Sequence, residues 1–138
     1  MTATELSSSP KLTDEALAGV VNVFYARVRA DEMLGVVFNT AIPDGHWPPH
    51  LVRMASFWSS IMLTSGRYHG NPIQAHVKHR EVITPAMFGR WLELWEQTAR
   101  ERLAPADAEA IIFKAHRMAR NLQGAMFALP RPAGQHAA

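Results

Sequence analysis

Residues 47–66 read WPPHLVRMASFWSSIMLTSG. Leu51, Met54, Phe57/Trp58, Ile61 and Met62 recur at intervals of three and four, the spacing that gathers side chains on one face of an α-helix. Proline near the opening, at Pro48, suits a first turn whose N–H groups have no intrahelical partner. Gly66 is expected to end the helix. A strand would need alternation with a period of two, and this stretch shows none.

The same period continues on both sides. Upstream, Thr13 is placed to cap a helix from about Asp14, with Asp14 and Glu15 in the favourable first turn. Leu17, Val20, Val21, Phe24, Tyr25 and Val28 form its apolar face. Leu34–Asn39 is a short apolar segment, and Pro43-Asp44-Gly45 is turn chemistry. Downstream, Asn71-Pro72 opens a short element running to about His79. Thr84-Pro85 is a cap followed by proline at the first helical position, and Phe88, Trp91, Leu92 and Trp95 repeat at helical spacing to about Leu103. Pro105 opens a last helix with Ile111, Ile112, Ala115, Met118, Ala119, Leu122 and Met126 on one side. Hairpin dipeptides flanked by β-branched runs are absent. The fold class is all-α, with four long helices and shorter connecting pieces.

At 138 residues the chain corresponds to one domain, long enough to bury about two-thirds of its unfolded surface. It has no cysteine, which excludes a thiol nucleophile, a thiolate zinc site and a cysteine-held iron–sulfur cluster. Fourteen Lys plus Arg against 12 Asp plus Glu leave a net charge of +2, with no basic stripe of the nucleic-acid-binding kind. No apolar run reaches the roughly 18 residues of a membrane span, so no membrane partner is expected. Met1–Pro10 lacks a basic n-region and an apolar h-region, and a cytoplasmic setting follows as the expectation. Residues 1–11 read as a mobile polar arm, 12–129 as the domain, and 130–138 as a mobile tail.

Seven histidines are the first candidates for chemistry. His46 and His50 are four apart and His76 and His79 three apart, spacings that can bind zinc from one helical face. Neither pair encloses a glutamate, so the H-E-x-x-H pattern is missing. Nucleophile elbows, P-loops and dinucleotide fingerprints are absent too. What remains is a histidine after an Asn-Pro turn, with Tyr25 and His50 from two earlier helices and Trp91 from a later one. Spacing alone leaves two readings open. One is a packed core with satisfied aromatic N–H and O–H groups. The other is a cofactor pocket in which one neutral imidazole holds haem iron.

Several segments carry a resemblance. Phe24–Asp31 followed by Leu34–Asn39 resembles the opening of a truncated haemoglobin. Trp47-Pro48-Pro49-His50 with Phe57–Ser60, Gly66–Pro72 with His76, and Phe88–Trp95 are similar to the third group of that family. The resemblance runs from about Leu12 to Phe127, in order. The glycine pairs of the other two groups are not evident.

This resemblance implies a shortened globin, a two-over-two helical sandwich around haem b (iron protoporphyrin). His76 matches the iron-ligating histidine. Tyr25, His50 and Trp91 match the residues on the distal side, where His50 is a candidate gate; Pro48-Pro49 just before it would stiffen that helix start. Phe38, Arg53, Met54, Phe57, Ile83, Met87 and Phe88 are the remaining cofactor contacts, Arg53 as a propionate partner, with His79 as a further candidate. Trp47, Trp58 and Trp95 read as core. The implied function is reversible binding of oxygen, carbon monoxide, nitric oxide or cyanide. Tyr25 O–H and Trp91 N–H would act as donors and make release slow, which does not suit bulk oxygen transport. The alternative is an enzyme of nitric oxide or peroxide detoxification, which needs an external reductase because the chain carries no flavin or nicotinamide motif.

Overall fold

The computed structural model describes residues 12–127. The arm at 1–11, residues 128–129 of the expected domain and the tail at 130–138 lie outside the described residues. Among the described residues six α-helices follow one another: α1 (Asp14–Ala30), α2 (Leu34–Ala41), α3 (Trp47–Leu63), α4 (Pro72–Val77), α5 (Pro85–Arg102) and α6 (Pro105–Phe127), with a 3-10 turn at Asp44–His46. Among the described residues there is no strand. None of these helices is long and apolar enough to cross a membrane.

Local chemistry sets the helix starts. The Thr13 hydroxyl accepts from the Ala16 N–H at 3.1 Å, Asn71 from Gln74 at 3.0 Å and Thr84 from Met87 at 3.3 Å. Each satisfies a first-turn donor that has no partner inside the helix. Four of the six helices carry proline in or at their first turn, where no N–H is needed.

Apolar faces then decide the packing. α1 packs on α3, α5 on α6, and α1 on α5, which makes two helix pairs laid across each other; α2 leans on α1 and α4 on α6. Val20, Phe24, Val28, Trp58, Trp95 and Ile111 are fully buried where these helices meet.

Two elements differ from the sequence expectation. Leu34–Asn39, expected only as an apolar segment, is the bulk of helix α2. Its start is fixed by Asp31, whose Oδ2 accepts from the N–H groups of Met33 and Leu34 while Oδ1 accepts from Arg90 Nε at 2.7 Å. Gly35 lets α2 press against the end of α1: a Cβ there would lie 2.7 Å from the Arg29 carbonyl oxygen. The second difference is the end of α3, at Leu63 and not at Gly66. Thr64 takes the left-handed cap conformation at φ 53°, and Gly66 takes a second one at φ 71°. The chain leaves early because serine hydroxyls on α3 draw the next segment back. Ser59 Oγ donates to Ser65 Oγ at 2.8 Å, and Ser60 Oγ accepts from the Tyr68 N–H at 3.0 Å.

Candidate functional site

A cavity of about 360 Å³ opens among all six helices. α1 contributes Tyr25, and α2 contributes Phe38. α3 contributes His50, Arg53, Met54 and Phe57, and α4 contributes His76. Ile83 follows from the connecting turn, and α5 supplies Met87, Phe88 and Trp91. The structure therefore brings all eleven site residues expected from the sequence to one cavity, and His79 with them.

His76 sits in the last turn of a six-residue helix. Its Nδ1 lies 2.7 Å from the Pro72 carbonyl oxygen. A carbonyl only accepts, so Nδ1 carries a proton, and in the neutral ring Nε2 then keeps its lone pair. This is the arrangement in which a second partner fixes the ring of a metal-binding histidine. The ring lies 6.4 Å from Phe88, tilted by 31°.

Tyr25 lies in a separate cluster of aromatic rings. His50 approaches it edge-on at 5.4 Å, and Phe38 stands at 6.0 Å. Only 5% of Tyr25 is exposed. Burial pushes its phenol well above the ordinary value, and the neighbouring Trp91 N–H offsets part of that rise. The phenol is therefore a hydrogen-bond donor throughout the physiological range. Burial is also the main cause that lowers the His50 pKa, followed by the positive charge of Arg53. His50 is thus a neutral imidazole, and its buried Nε2 has no hydrogen-bond partner.

An orphaned buried nitrogen is costly unless something comes to meet it. A free imidazole lone pair on His76, an unsatisfied nitrogen on His50 and a phenol donor all border the same apolar space. Its walls are Phe38, Met54, Phe57, Ile83, Met87 and Phe88, while Arg53, Lys78 and His79 supply cationic or titratable groups. A large, flat, apolar group with a metal centre and carboxylates fits this set. The zinc alternative finds no support, since no three His, Cys, Asp or Glu side chains gather among the described residues.

Sequence reasoning missed part of the lining. Met118 and Leu122 reach the cavity from α6, and Tyr68 and Lys78 from the segments on either side of α4. Met118 and Leu122 lie four apart on an apolar helical face, and that signal does not separate a core position from a cavity wall. Tyr68 is placed by its edge-on contact with Phe57 at 5.0 Å, a tertiary feature without a local signature.

No model of a known protein family matches the chain. A curated relative does: a group 3 truncated hemoglobin from Campylobacter jejuni is 33% identical over 89 residues, covering 63% of this chain and 69% of that protein. Among solved structures, the group III truncated hemoglobin from Campylobacter jejuni superposes with a TM-score of 0.78 at 27% identity, over 88% of this chain and 97% of that one. The helical order, the two crossed helix pairs and this likeness in both sequence and fold lead to one conclusion: the chain belongs to the group 3 truncated hemoglobins.

Proposed function

We propose that this chain holds haem b through His76 and reversibly binds oxygen and other small ligands, namely carbon monoxide, nitric oxide and cyanide, with Tyr25, His50 and Trp91 as the residues that meet them. The observation that carries this reading is the His76 ring, with Nδ1–H committed to the Pro72 carbonyl and Nε2 left free. When bound, haem iron supplies the centre at which a diatomic ligand is held. Phe38, Met54, Phe57, Ile83, Met87 and Phe88 give the porphyrin an apolar bed and exclude water. Arg53 and His79 are the partners for its carboxylates. Such pairs lie near solvent and contribute modestly.

The polar residues divide the remaining work. Tyr25 offers its O–H and Trp91 its N–H to partial negative charge on a ligand, from positions fixed before the ligand arrives. His50 stays neutral and adds no charge to the pocket. Two donors in an apolar cavity favour polar ligands such as oxygen over carbon monoxide, and favour slow release.

Absorption spectra of the purified protein test the proposal, in ferric and ferrous forms and with and without carbon monoxide. A Soret band that forms at one haem per chain and shifts with carbon monoxide is expected. No Soret band after haem addition overturns the reading. Sustained turnover of nitric oxide or peroxide with an added reductase would favour the enzymatic alternative, whereas reaction limited to a single turnover would favour binding.

A further inference from the structure

Three of the four tryptophans form one stack. Trp91 and Trp95, one turn apart on α5, have ring centroids 5.4 Å apart and planes within 8° of parallel. Trp95 also stacks on Trp58 of α3, at 4.5 Å and 21°. Phe24 meets the stack edge-on, at 5.0 Å from Trp91 and 4.8 Å from Trp95, and meets Tyr25 edge-on at 4.8 Å. Phe24, Trp58 and Trp95 are buried to within 1% of full coverage; Trp91 and Trp58 border the cavity, and Phe24 and Trp95 stand behind them.

The Trp95 Nε1 is buried without a hydrogen-bond partner. A leucine or phenylalanine would fill apolar space there and leave no donor orphaned. What the indole adds is a broad flat face, and that face lies against Trp91. The side chain of Trp91 turns about two torsions, and a parallel neighbour is what restricts its plane.

We infer that Trp95 is a positioning residue: it fixes the plane of the Trp91 indole and so the direction of its N–H, while Phe24 holds the Trp91 and Tyr25 rings against a common edge. This inference rests on the proposed role of Trp91 as a donor to the ligand. Trp58 is the outer support of the same stack. The two donors are then aligned by Phe24 and Trp95, buried rings that do not border the cavity.

The test uses the haem-loaded full chain and measures oxygen dissociation in Trp95→Leu, Trp91→Phe and the double variant. Trp95→Leu is expected to speed release by about three- to tenfold, part of what a lost hydrogen bond to a charged acceptor would give. In the Trp91→Phe background the same change adds less than about twofold, because the two residues act as one unit. Trp95→Phe, which keeps an aromatic face, stays closer to the natural rate. Circular dichroism supplies a readout independent of ligand release: the exciton couplet of the stacked indoles is lost in Trp95→Leu. Trp95→Met carries the same measurements if the leucine variant does not fold. Equal acceleration with and without Trp91, or a natural rate in Trp95→Leu alongside a fast one in Trp91→Phe, overturns the positioning role alone. A natural rate in Trp91→Phe itself overturns the donor role of Trp91 and the positioning role with it.

Discussion

The Nδ1–H of His76 donates to the carbonyl of Pro72, four residues earlier and within the same short helix, at 2.7 Å. Asn71 caps that helix and proline opens it, so the acceptor and the ring it orients are built from one local stretch of sequence. In the neutral ring the proton is thereby kept off Nε2. A metal-binding ring is oriented by the carboxylate, backbone carbonyl or water that meets its other nitrogen. Here that orientation requires only that α4 form.

His76→Ala is expected to abolish stable haem uptake, read as the loss of a saturable Soret band on haem titration. Added imidazole should restore part of the band by supplying the missing nitrogen. His79→Ala removes the other cavity-lining histidine of this segment and should keep one haem per chain. If the two variants behaved alike, the assignment of His76 as ligand would fail.

Tyr25→Phe deletes a buried donor and leaves the ring. A hydrogen bond to a charged group contributes about 1.5–3 kcal/mol, so oxygen release should accelerate by roughly 10- to 100-fold. The same change should alter alkaline stability. The folded phenol binds its proton more tightly than the unfolded one, because burial raises its pKa. The stability tied to that proton is complete below the unfolded value of about 10 and is lost as pH rises above it. Thermal unfolding above that pH should therefore fall less steeply in Tyr25→Phe than in the natural protein.

His50 carries the opposite sign. Its folded pKa is depressed by burial and then by Arg53. The unfolded chain consequently takes up the proton first, and stability falls as pH drops below about 6.5. His50→Leu should flatten this acid limb in unfolding curves. Arg53→Ala removes a like charge and should raise the His50 titration midpoint, followed by NMR of the imidazole. A midpoint unmoved by Arg53→Ala would show that burial alone sets it.

Gly35→Ala tests the close approach of α2 to α1. The new Cβ would meet the Arg29 carbonyl oxygen at 2.7 Å, and backbone does not yield as a flexible side-chain tip does. Overpacking of this kind costs about 1–3 kcal/mol. A clear loss in denaturant midpoint is expected. Gly45→Ala is the control, since a Cβ at Gly45 meets nothing within 4 Å.

The long helices and their caps are legible because their signals are local. Thr13, Asn71 and Thr84 each meet an N–H three residues on, and the apolar faces of α1, α3, α5 and α6 repeat at helical spacing. The cavity residues that could be named were those with distinctive side chains in segments similar to a known family. α2 was harder to read. Eight residues with a glycine and adjacent valines are weak helix formers, and the helix depends on Asp31, Arg90 and the flank of α1. The early end of α3 depends likewise on hydroxyl contacts across a loop. The tryptophan stack needs Trp58 and Trp95 brought together from α3 and α5, and no periodicity announces that.

Asp31 joins three parts of the fold, so its titration should be visible in global stability. Burial works to raise its pKa, but the Leu34 N–H, then the Arg90 guanidinium and the Met33 N–H, outweigh that effect, and the carboxyl titrates below its ordinary value. A depressed acid contributes stability that is present above the unfolded value of about 3.9 and is lost as pH falls through the folded one. Asp31→Asn should therefore unfold with a shallower dependence on pH below about 4. Asp31→Ala also leaves the α2 start without its side-chain acceptor, a loss of about 1–2 kcal/mol at neutral pH. Arg90 should lose its restraint in Asp31→Ala, since Asp31 holds its Nε at 2.7 Å while Glu93 holds only the exposed Nη1 side; in Asp31→Asn the amide oxygen still accepts from Nε but the ionic attraction is gone. Arg90→Lys separates charge from geometry: lysine keeps the charge and loses the directed guanidinium. If the acid limb persists in Arg90→Lys and vanishes in Asp31→Asn, the Leu34 and Met33 N–H groups with a positive charge at position 90 are enough to depress the carboxyl, and if both lose it, the directed guanidinium hydrogen bond is required.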